Sequence, residues 1–373
     1  MKYYIIAGEA SGDLHGSNLI KAIKSLDSKA DFRVWGGDLM ENAGGHLVKH
    51  YKDLAFMGFI EVLKNIRTIL KNMDFCKKDI AEYQPDAVIM IDYPGFNLRI
   101  AKWTRQQGYK NLYYISPQLW AWKPNRVYGI KENIDKLFVI LPFEKAFYDK
   151  YDYPVDFVGH PLLDVVKNYP KPVDFRSRNG LNEKPIIALL PGSRKQEITR
   201  MLKVMLAASK EYSEKYQVVI AGAPSIPLSF YEGIIQDYKQ DIKIVSNQTY
   251  PLLSEAKAAL VTSGTATLET ALFKVPQVVC YRGNQLSFMI AKKLVSDRIK
   301  FIALANLIVD EAIVTELIQN ELTTENLSKE LNLLLHDESK KAQIQQGYEQ
   351  LHQILGNEGA STRTANLVVE YLS

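Results

Sequence analysis

Short apolar runs rich in β-branched and aromatic residues alternate along the chain with stretches of helical spacing. The runs at 3–7, 32–35, 87–91, 111–115 and 136–140 predict strands, and 14–25 predicts a helix. A polar stretch at 168–178 carries Pro170 and Pro172 and reads as a linker. The pattern then restarts. Runs at 186–190, 217–221, 242–245, 258–261 and 277–281 predict strands, with a helix from about Glu197. Each half opens with a strand, a Gly/Ser turn and a helix. This repetition predicts an α/β chain of two Rossmann-like domains with parallel sheets facing a central cleft. The domains are placed at 1–170 and 171–349. The helical tail from about Gln346 is left open, with packing of 350–373 back on the first domain as one arrangement.

In such sheets ligands bind beyond the strand carboxyl ends, so the loops there are the candidates for chemistry. The most informative is Thr262–Glu269, where an apolar run meets a Thr/Ser/Gly turn and then a helical stretch. First-turn N–H groups of a helix have no partner within it and attract anions, so Ser263, Gly264 and Thr265 suit a phosphate. Glu269 lies one turn further, where a carboxylate holds a vicinal diol such as a ribose. Phosphate with diol points to a nucleotide, and the Lys of a Walker loop does not follow the Gly. A capping box starting at Thr265 needs Glu or Gln at 268, where Leu268 stands, so Glu269 has no such local role.

Other loops are read the same way. Gly8-Glu9-Ala10-Ser11-Gly12-Asp13 permits close backbone approach, but its spacing does not fit the dinucleotide fingerprint. The plain alternative is a βα turn with Asp13 as N-cap. Asp92 ends the 87–91 run before Tyr93-Pro94-Gly95, where it either points a carboxylate into the crevice or simply initiates the turn. Trp120 and Trp122 follow another strand, one read as packing and one as pocket lining. Ser193 and Arg194 stand where the second domain's first helix begins. There a guanidinium suits pyrophosphate, the alternative being an Arg194–Glu197 pair.

The stretch 59–73 is amphipathic, with Phe59, Val62, Leu63, Ile66, Ile69, Leu70 and Met73 on its apolar stripe and Lys64, Arg67 and Lys71 off it. Packing on the sheet is the ordinary reading, and resting on a membrane or receiving acyl chains is the sharper one. A net charge of +4, from 46 basic and 42 acidic residues, lacks the bias of nucleic-acid binders. Cys76 and Cys280 sit far apart in apolar surroundings and read as buried thiols. The six histidines make no metal-ligand spacing, and no window approaches a membrane span. A cytoplasmic protein is expected.

Together these motifs resemble the lipid-A-disaccharide synthase family. The resemblance is carried in order by Ala7–Asp13, Met57-Gly58, Ile91-Asp92-Tyr93-Pro94, Ser116-Pro117-Gln118 with Trp120-Ala121-Trp122, and Leu141-Pro142-Phe143-Glu144. Gly159-His160-Pro161, Leu190-Pro191-Gly192-Ser193-Arg194 and Ser263–Glu269 continue it. It implies a GT-B fold and an inverting transfer without metal or cofactor. The implied substrates are UDP-2,3-diacylglucosamine and 2,3-diacylglucosamine 1-phosphate (lipid X), the products a β-1,6-linked disaccharide 1-phosphate and UDP. It further implies peripheral association with the cytoplasmic face of the inner membrane, and leaves a homodimer open. Asp92 falls on the base; a resting Asp is a weak base near neutral pH, so burial or a neighbouring carboxylate such as Glu9 is expected to raise its pKa. Arg194 falls on the phosphate-binding Arg. Asn306 joins the donor-site residues, and Gly8, Ser11 and Gly12 form the acceptor-side loop. Gly95 stands where an acidic residue is common, and Ala305 where Pro is usual before Asn306. The rival readings are another GT-B UDP-GlcNAc transferase or 2-epimerase, and a non-catalytic nucleotide-sugar or lipid-binding protein.

Overall fold

The computed structural model describes the chain except residues 55–65, 123, 168, 171–172, 239–240 and 284–299. The chain forms two compact units. The first comprises Met1–Asp164 with Asn357–Ser373, and the second Val165–Gly356.

The first unit is built on seven parallel strands: β1 (Lys2–Ala7), β2 (Asp31–Gly36), β3 (His46–His50), β4 (Ala87–Ile91), β5 (Lys110–Tyr114), β6 (Lys136–Val139) and β7 (Asp156–Phe157). They lie in the order β3-β2-β1-β4-β5-β6-β7. The apolar runs of β1 and β4 are buried throughout, as parallel strands covered on both faces require. Period-two alternation splits β1 between two cores. Tyr4 and Ile6 pack with Trp35, Cys76, Ile80 and Phe96, whereas Tyr3, Ile5 and Ala7 pack with Leu19, Ile20, Ala365 and Val368. The last two come from the Ala360–Leu372 helix, so the end of the chain helps to close the first unit's core.

The second unit carries six parallel strands: β8 (Ile186–Leu190), β9 (Gln217–Gly222), β10 (Ile242–Ser246), β11 (Ala256–Thr262), β12 (Gln277–Tyr281) and β13 (Thr315–Ile318). Their order is β10-β9-β8-β11-β12-β13. Part of the expected linker is folded into this unit. Phe175 is buried in its core, and Arg176 pairs with Glu255 at 2.6 Å.

Strand order reverses once in each sheet, between β1 and β4 and between β8 and β11. Connections on either side of such a switch point run away from one another and leave a crevice at the carboxyl edge. Ala7 is paired with Ile91 and Val261 with Leu190. The chain therefore leaves the sheet side by side at Gly8 and Asp92 in one unit, and at Pro191 and Thr262–Ser263 in the other.

Candidate active site

The first crevice is formed by backbone brought close. The helix after β1 begins at Ala10 rather than at 14, directly after Glu9 at its N-cap, and continues to Leu26. A Cβ on Gly8 would lie 2.3 Å from Cγ of Tyr93, and one on Gly12 would lie 2.9 Å from the Ala7 Cβ. The loop's glycines thus let the Tyr93 ring and the helix pack onto the end of β1. Ser11 is exposed in the first helical turn. Asp13 does not cap its own helix. Buried at 3 % exposure, it accepts N–H bonds from Gly37 (2.8 Å), Leu39 (3.2 Å) and Met40 (3.0 Å), and so caps the short Asp38–Asn42 helix after β2.

Asp92 and Tyr93 both take left-handed backbone conformations, with φ of +45° and +50°. Two consecutive non-glycine residues there are strained, and persist only where neighbours hold them. The Asp92 carbonyl accepts bonds from Asn97 Nδ2 at 2.7 Å and the Tyr113 hydroxyl at 2.5 Å, while its amide donates to the Tyr114 carbonyl at 3.2 Å. Pro94 then opens the Pro94–Gln106 helix. Burial, followed by the charge of Glu9, pushes the Asp92 carboxyl up to about 6, and a bond from the Tyr93 N–H pulls the other way. The carboxylate is thereby tuned to take a proton near neutral pH. His15 and His160 are buried in the same unit, and burial lowers them to about 4 and about 3, so both are neutral at physiological pH.

In the second unit, Pro191–Arg194 joins β8 to the Lys195–Ser209 helix, with Arg194 at its N-cap. The Glu197 carboxylate accepts the Ser193 N–H at 3.0 Å. It lies over Gly192, whose φ is +106° and where a Cβ would stand 2.1 Å from Glu197 Oε2. The turn's shape thus depends on a glycine and a carboxylate together, and it leaves Ser193 and Arg194 exposed. Beside it, Thr262 ends β11. Ser263 donates its hydroxyl to the Ile302 carbonyl at 2.9 Å, and Gly264 with a φ of +153° precedes the Thr265–Leu272 helix. Gly264 and Thr265 are exposed. Thr262 Oγ1 is buried with no hydrogen-bond partner among the described residues.

Two predicted donor-site residues have local partners. Glu269 accepts the Tyr250 hydroxyl at 2.8 Å, and burial raises its carboxyl against that bond. Asn306 is fully buried. Its amide donates to the Val314 carbonyl and to Glu316, both at 2.9 Å, and its Oδ1 accepts the Val314 N–H at 3.0 Å. Both ends of this side chain are used in positioning, because Glu316 in turn accepts the Ile302 and Ala303 N–H groups at the start of the Leu304–Val309 helix. Asn306 supports the Ser263 turn through Ile302 instead of lining it. The supports themselves, Asn97, Tyr113, Glu197, Tyr250 and Glu316, carry no motif in the sequence. Only the close spacing of Asp92 with Asn97 and of Gly192 with Glu197 hinted at them.

The amphipathic stretch is only partly described. Phe59, Val62, Leu63 and the Ile66 side chain lie outside the described residues, as does the Trp122 side chain. Within the Ile66–Tyr83 helix, Ile69 is half-buried, Met73 belongs to the core and Leu70 is 51 % exposed. No described helix is long and apolar enough to cross a membrane. Among the described residues, no group of three or more His, Cys, Asp or Glu could hold a metal ion.

The family model described as lipid-A-disaccharide synthetase matches residues 3–370. Lipid-A-disaccharide synthase of Geobacter metallireducens is 37 % identical over 372 residues, covering 99 % of this chain and 96 % of that protein. The Coxiella burnetii enzyme of the same name is 38 % identical over 347 residues, covering 91 % and 90 %. Among solved structures, the UDP-GlcNAc 2-epimerase of Neisseria meningitidis bound to UDP-GlcNAc superposes with a TM-score of 0.67 at 13 % identity, covering 99 % and 100 %. The glycotransferase of kitacinnamycin superposes at 0.65 and 12 %, covering 100 % and 99 %. At such identities these two report the fold alone, a pair of Rossmann-like domains of the GT-B class.

Proposed function

The chain belongs to the lipid-A-disaccharide synthase family, and from that premise we propose that Asp92 is the general base of its glycosyl transfer. The reaction is synthesis of the lipid A disaccharide. Its donor and acceptor are UDP-2,3-diacylglucosamine and 2,3-diacylglucosamine 1-phosphate. The 6-hydroxyl oxygen of the acceptor attacks the anomeric carbon of the donor as its proton passes to Asp92. A β-1,6 bond forms as the carbon–oxygen bond to the UDP β-phosphate breaks on the opposite side, which inverts the centre. The single observation that carries this reading is the strained, mostly buried carboxylate at the first sheet's switch point, raised to about 6 by burial and Glu9. A base of that pKa is ionised at neutral pH, and general-base help is worth roughly 10²–10⁴-fold.

The charge released on the β-phosphate would be met in the second unit. There the exposed Ser193, Arg194, Gly264 and Thr265 stand at two helix starts on adjacent strands, where backbone N–H groups and a guanidinium stabilise an oxyanion. Glu269 would hold the ribose through the carboxylate oxygen not bonded to Tyr250. Gly8, Glu9 and Ser11 would form the acceptor side. Peripheral attachment to the inner membrane's cytoplasmic face is supported by exposed Leu70 between exposed Arg67 and Lys71, an arrangement suited to an anionic lipid surface.

The test is UDP release with diacylated donor and acceptor. Asp92→Asn should lose turnover while UDP affinity stays near wild type. Wild-type rates in that variant would remove Asp92 from the role, and equal rates with sugars lacking acyl chains would favour an unacylated UDP-GlcNAc reaction.

A further inference from the structure

The second unit's carboxyl edge carries a third feature, beyond β12 and β13. Tyr281 and Ile318 are register partners at the ends of β12 and β13. Arg282 and Gln319 therefore leave the sheet side by side. With Arg200, Gly283 and Asn320 they line an open cavity of about 370 Å³. Arg200 reaches it from the Lys195–Ser209 helix. None of the five lining residues is acidic. The nearby Glu321 carboxylate is turned to the Ile318 N–H at 3.4 Å.

Gln319 carries the strongest signal. Its φ is +52°, a region that a non-glycine residue enters only at a cost. Its amide Nε2 is buried with no hydrogen-bond partner among the described residues. A buried donor left unpaired calls for an explanation, since it forgoes a bond it would make in water. Arg282 donates to the Leu322 carbonyl through one guanidinium nitrogen, which fixes the fork while the group offers further N–H donors. Two guanidiniums and an amide donor, with no acidic residue among the described lining, match an anion with several acceptor oxygens.

We propose that Arg200, Arg282 and the Gln319 amide form a phosphate-monoester subsite at the carboxyl ends of β12 and β13, separate from the loops assigned to UDP. Its separateness rests on reading 193–194 and 263–265 as those loops. The strand order places Gln319 two strands along from Ser263, about 10 Å at the usual spacing. A monoester at this edge is either the 1-phosphate of a sugar or the headgroup phosphate of an anionic lipid.

The experiment titrates glucosamine 1-phosphate and UDP separately into the full chain by calorimetry. Binding to phosphatidylglycerol and phosphatidylcholine vesicles is measured by co-sedimentation. Wild type is compared with Arg282→Ala, Arg282→Lys, Arg200→Ala and Arg194→Ala. Loss of a charge-assisted contact should weaken glucosamine 1-phosphate by roughly tenfold to a hundredfold in Arg282→Ala. Arg200→Ala, an exposed position on a helix, should show a smaller loss, and Arg282→Lys an intermediate one. UDP affinity should stay unchanged in all three and fall only in Arg194→Ala. Selective loss of phosphatidylglycerol binding, with the sugar phosphate unaffected, assigns the subsite to lipid headgroups. Undiminished binding of both probes in Arg282→Ala and Arg200→Ala overturns the proposal. So does a parallel loss of UDP affinity, which would make Arg282 part of the UDP site. An Arg194→Ala variant with normal UDP affinity overturns instead the assignment of the UDP loops.

Discussion

Replacing Asp92 by Asn separates what the buried carboxylate costs from what it does. Its carboxyl is raised from the ordinary 3.8 to about 6, first by burial and then by Glu9. The folded chain thus holds this proton more tightly than the unfolded chain. Below about pH 4 both states are protonated and the group is neutral in its effect. Between about pH 4 and 6 only the native state keeps the proton, so stability falls as pH rises through that window. At 1.36 kcal/mol per unit, a rise of two units is a penalty of about 3 kcal/mol, fully present at pH 7. Asparagine has the same shape, tolerates the left-handed backbone and carries no charge. Asp92→Asn should match wild type near pH 4 and exceed it at neutral pH by up to about 3 kcal/mol. For a unit of this size that is ~6–12 °C in the melting temperature. Calorimetric melting of both proteins across that pH range reads the gap directly. A gap that does not widen between acid and neutral pH would refute the reasoning, because the carboxylate would then carry no burial penalty. The expected protein is more stable and nearly inactive, the exchange found where an active site is held in an unfavourable state.

Glu9→Gln should move the acid limb of the pH–rate profile down from about 6, but only partway to the ordinary value, because burial is the larger cause; a limb that stays put would show that Glu9 does not act on Asp92. Gly192→Ala places a methyl where Glu197 lies and forces a left-handed alanine. At about 1–3 kcal/mol of strain, UDP affinity measured by calorimetry should fall roughly 5- to 150-fold, and unchanged affinity would show that this turn does not present the phosphate site. Asp13→Ala removes the acceptor of three N–H bonds, and should cost roughly 2–4 kcal/mol in urea unfolding. Asp13→Asn should cost less, since its amide oxygen still accepts.

The central strands were legible because a strand covered on both faces must be apolar at every position, and such runs stand out. The three strands missing from the expectations, β3, β7 and β13, all lie at sheet edges. There His46–His50 and Thr315–Ile318 mix charged with apolar residues, and Asp156–Phe157 is too short to show a period. The switch-point loops were legible for the same reason, since each follows a central strand. How Asp13, Asn306 and Glu269 are held was not. Which neighbour holds a buried polar side chain depends on partners 24 to 27 residues away for Asp13, and 19 away for Glu269. Local spacing carries no information about such partners. The helix after β1 starts four residues before the expected Leu14; Gly12 and Asp13 resemble a cap in sequence, whereas Gly12 lets the helix lie against Ala7.

The first unit is interrupted in sequence. The chain leaves it at Asp164 and returns at Asn357, and the Asp164 carboxylate is bonded to the Gly359 amide at the start of the last helix. During synthesis, therefore, the second unit is complete and free to fold while the first still lacks the helix that covers Leu19 and Ile20. At roughly 5–20 residues per second the first unit waits some 10–40 s with that core face open. The exposed interval is set by the length of the inserted unit and not by the folding speed of the sheet it interrupts. A chain of this design is most vulnerable to aggregation and proteolysis before Asn357–Ser373 are made, and that segment decides when the vulnerability ends.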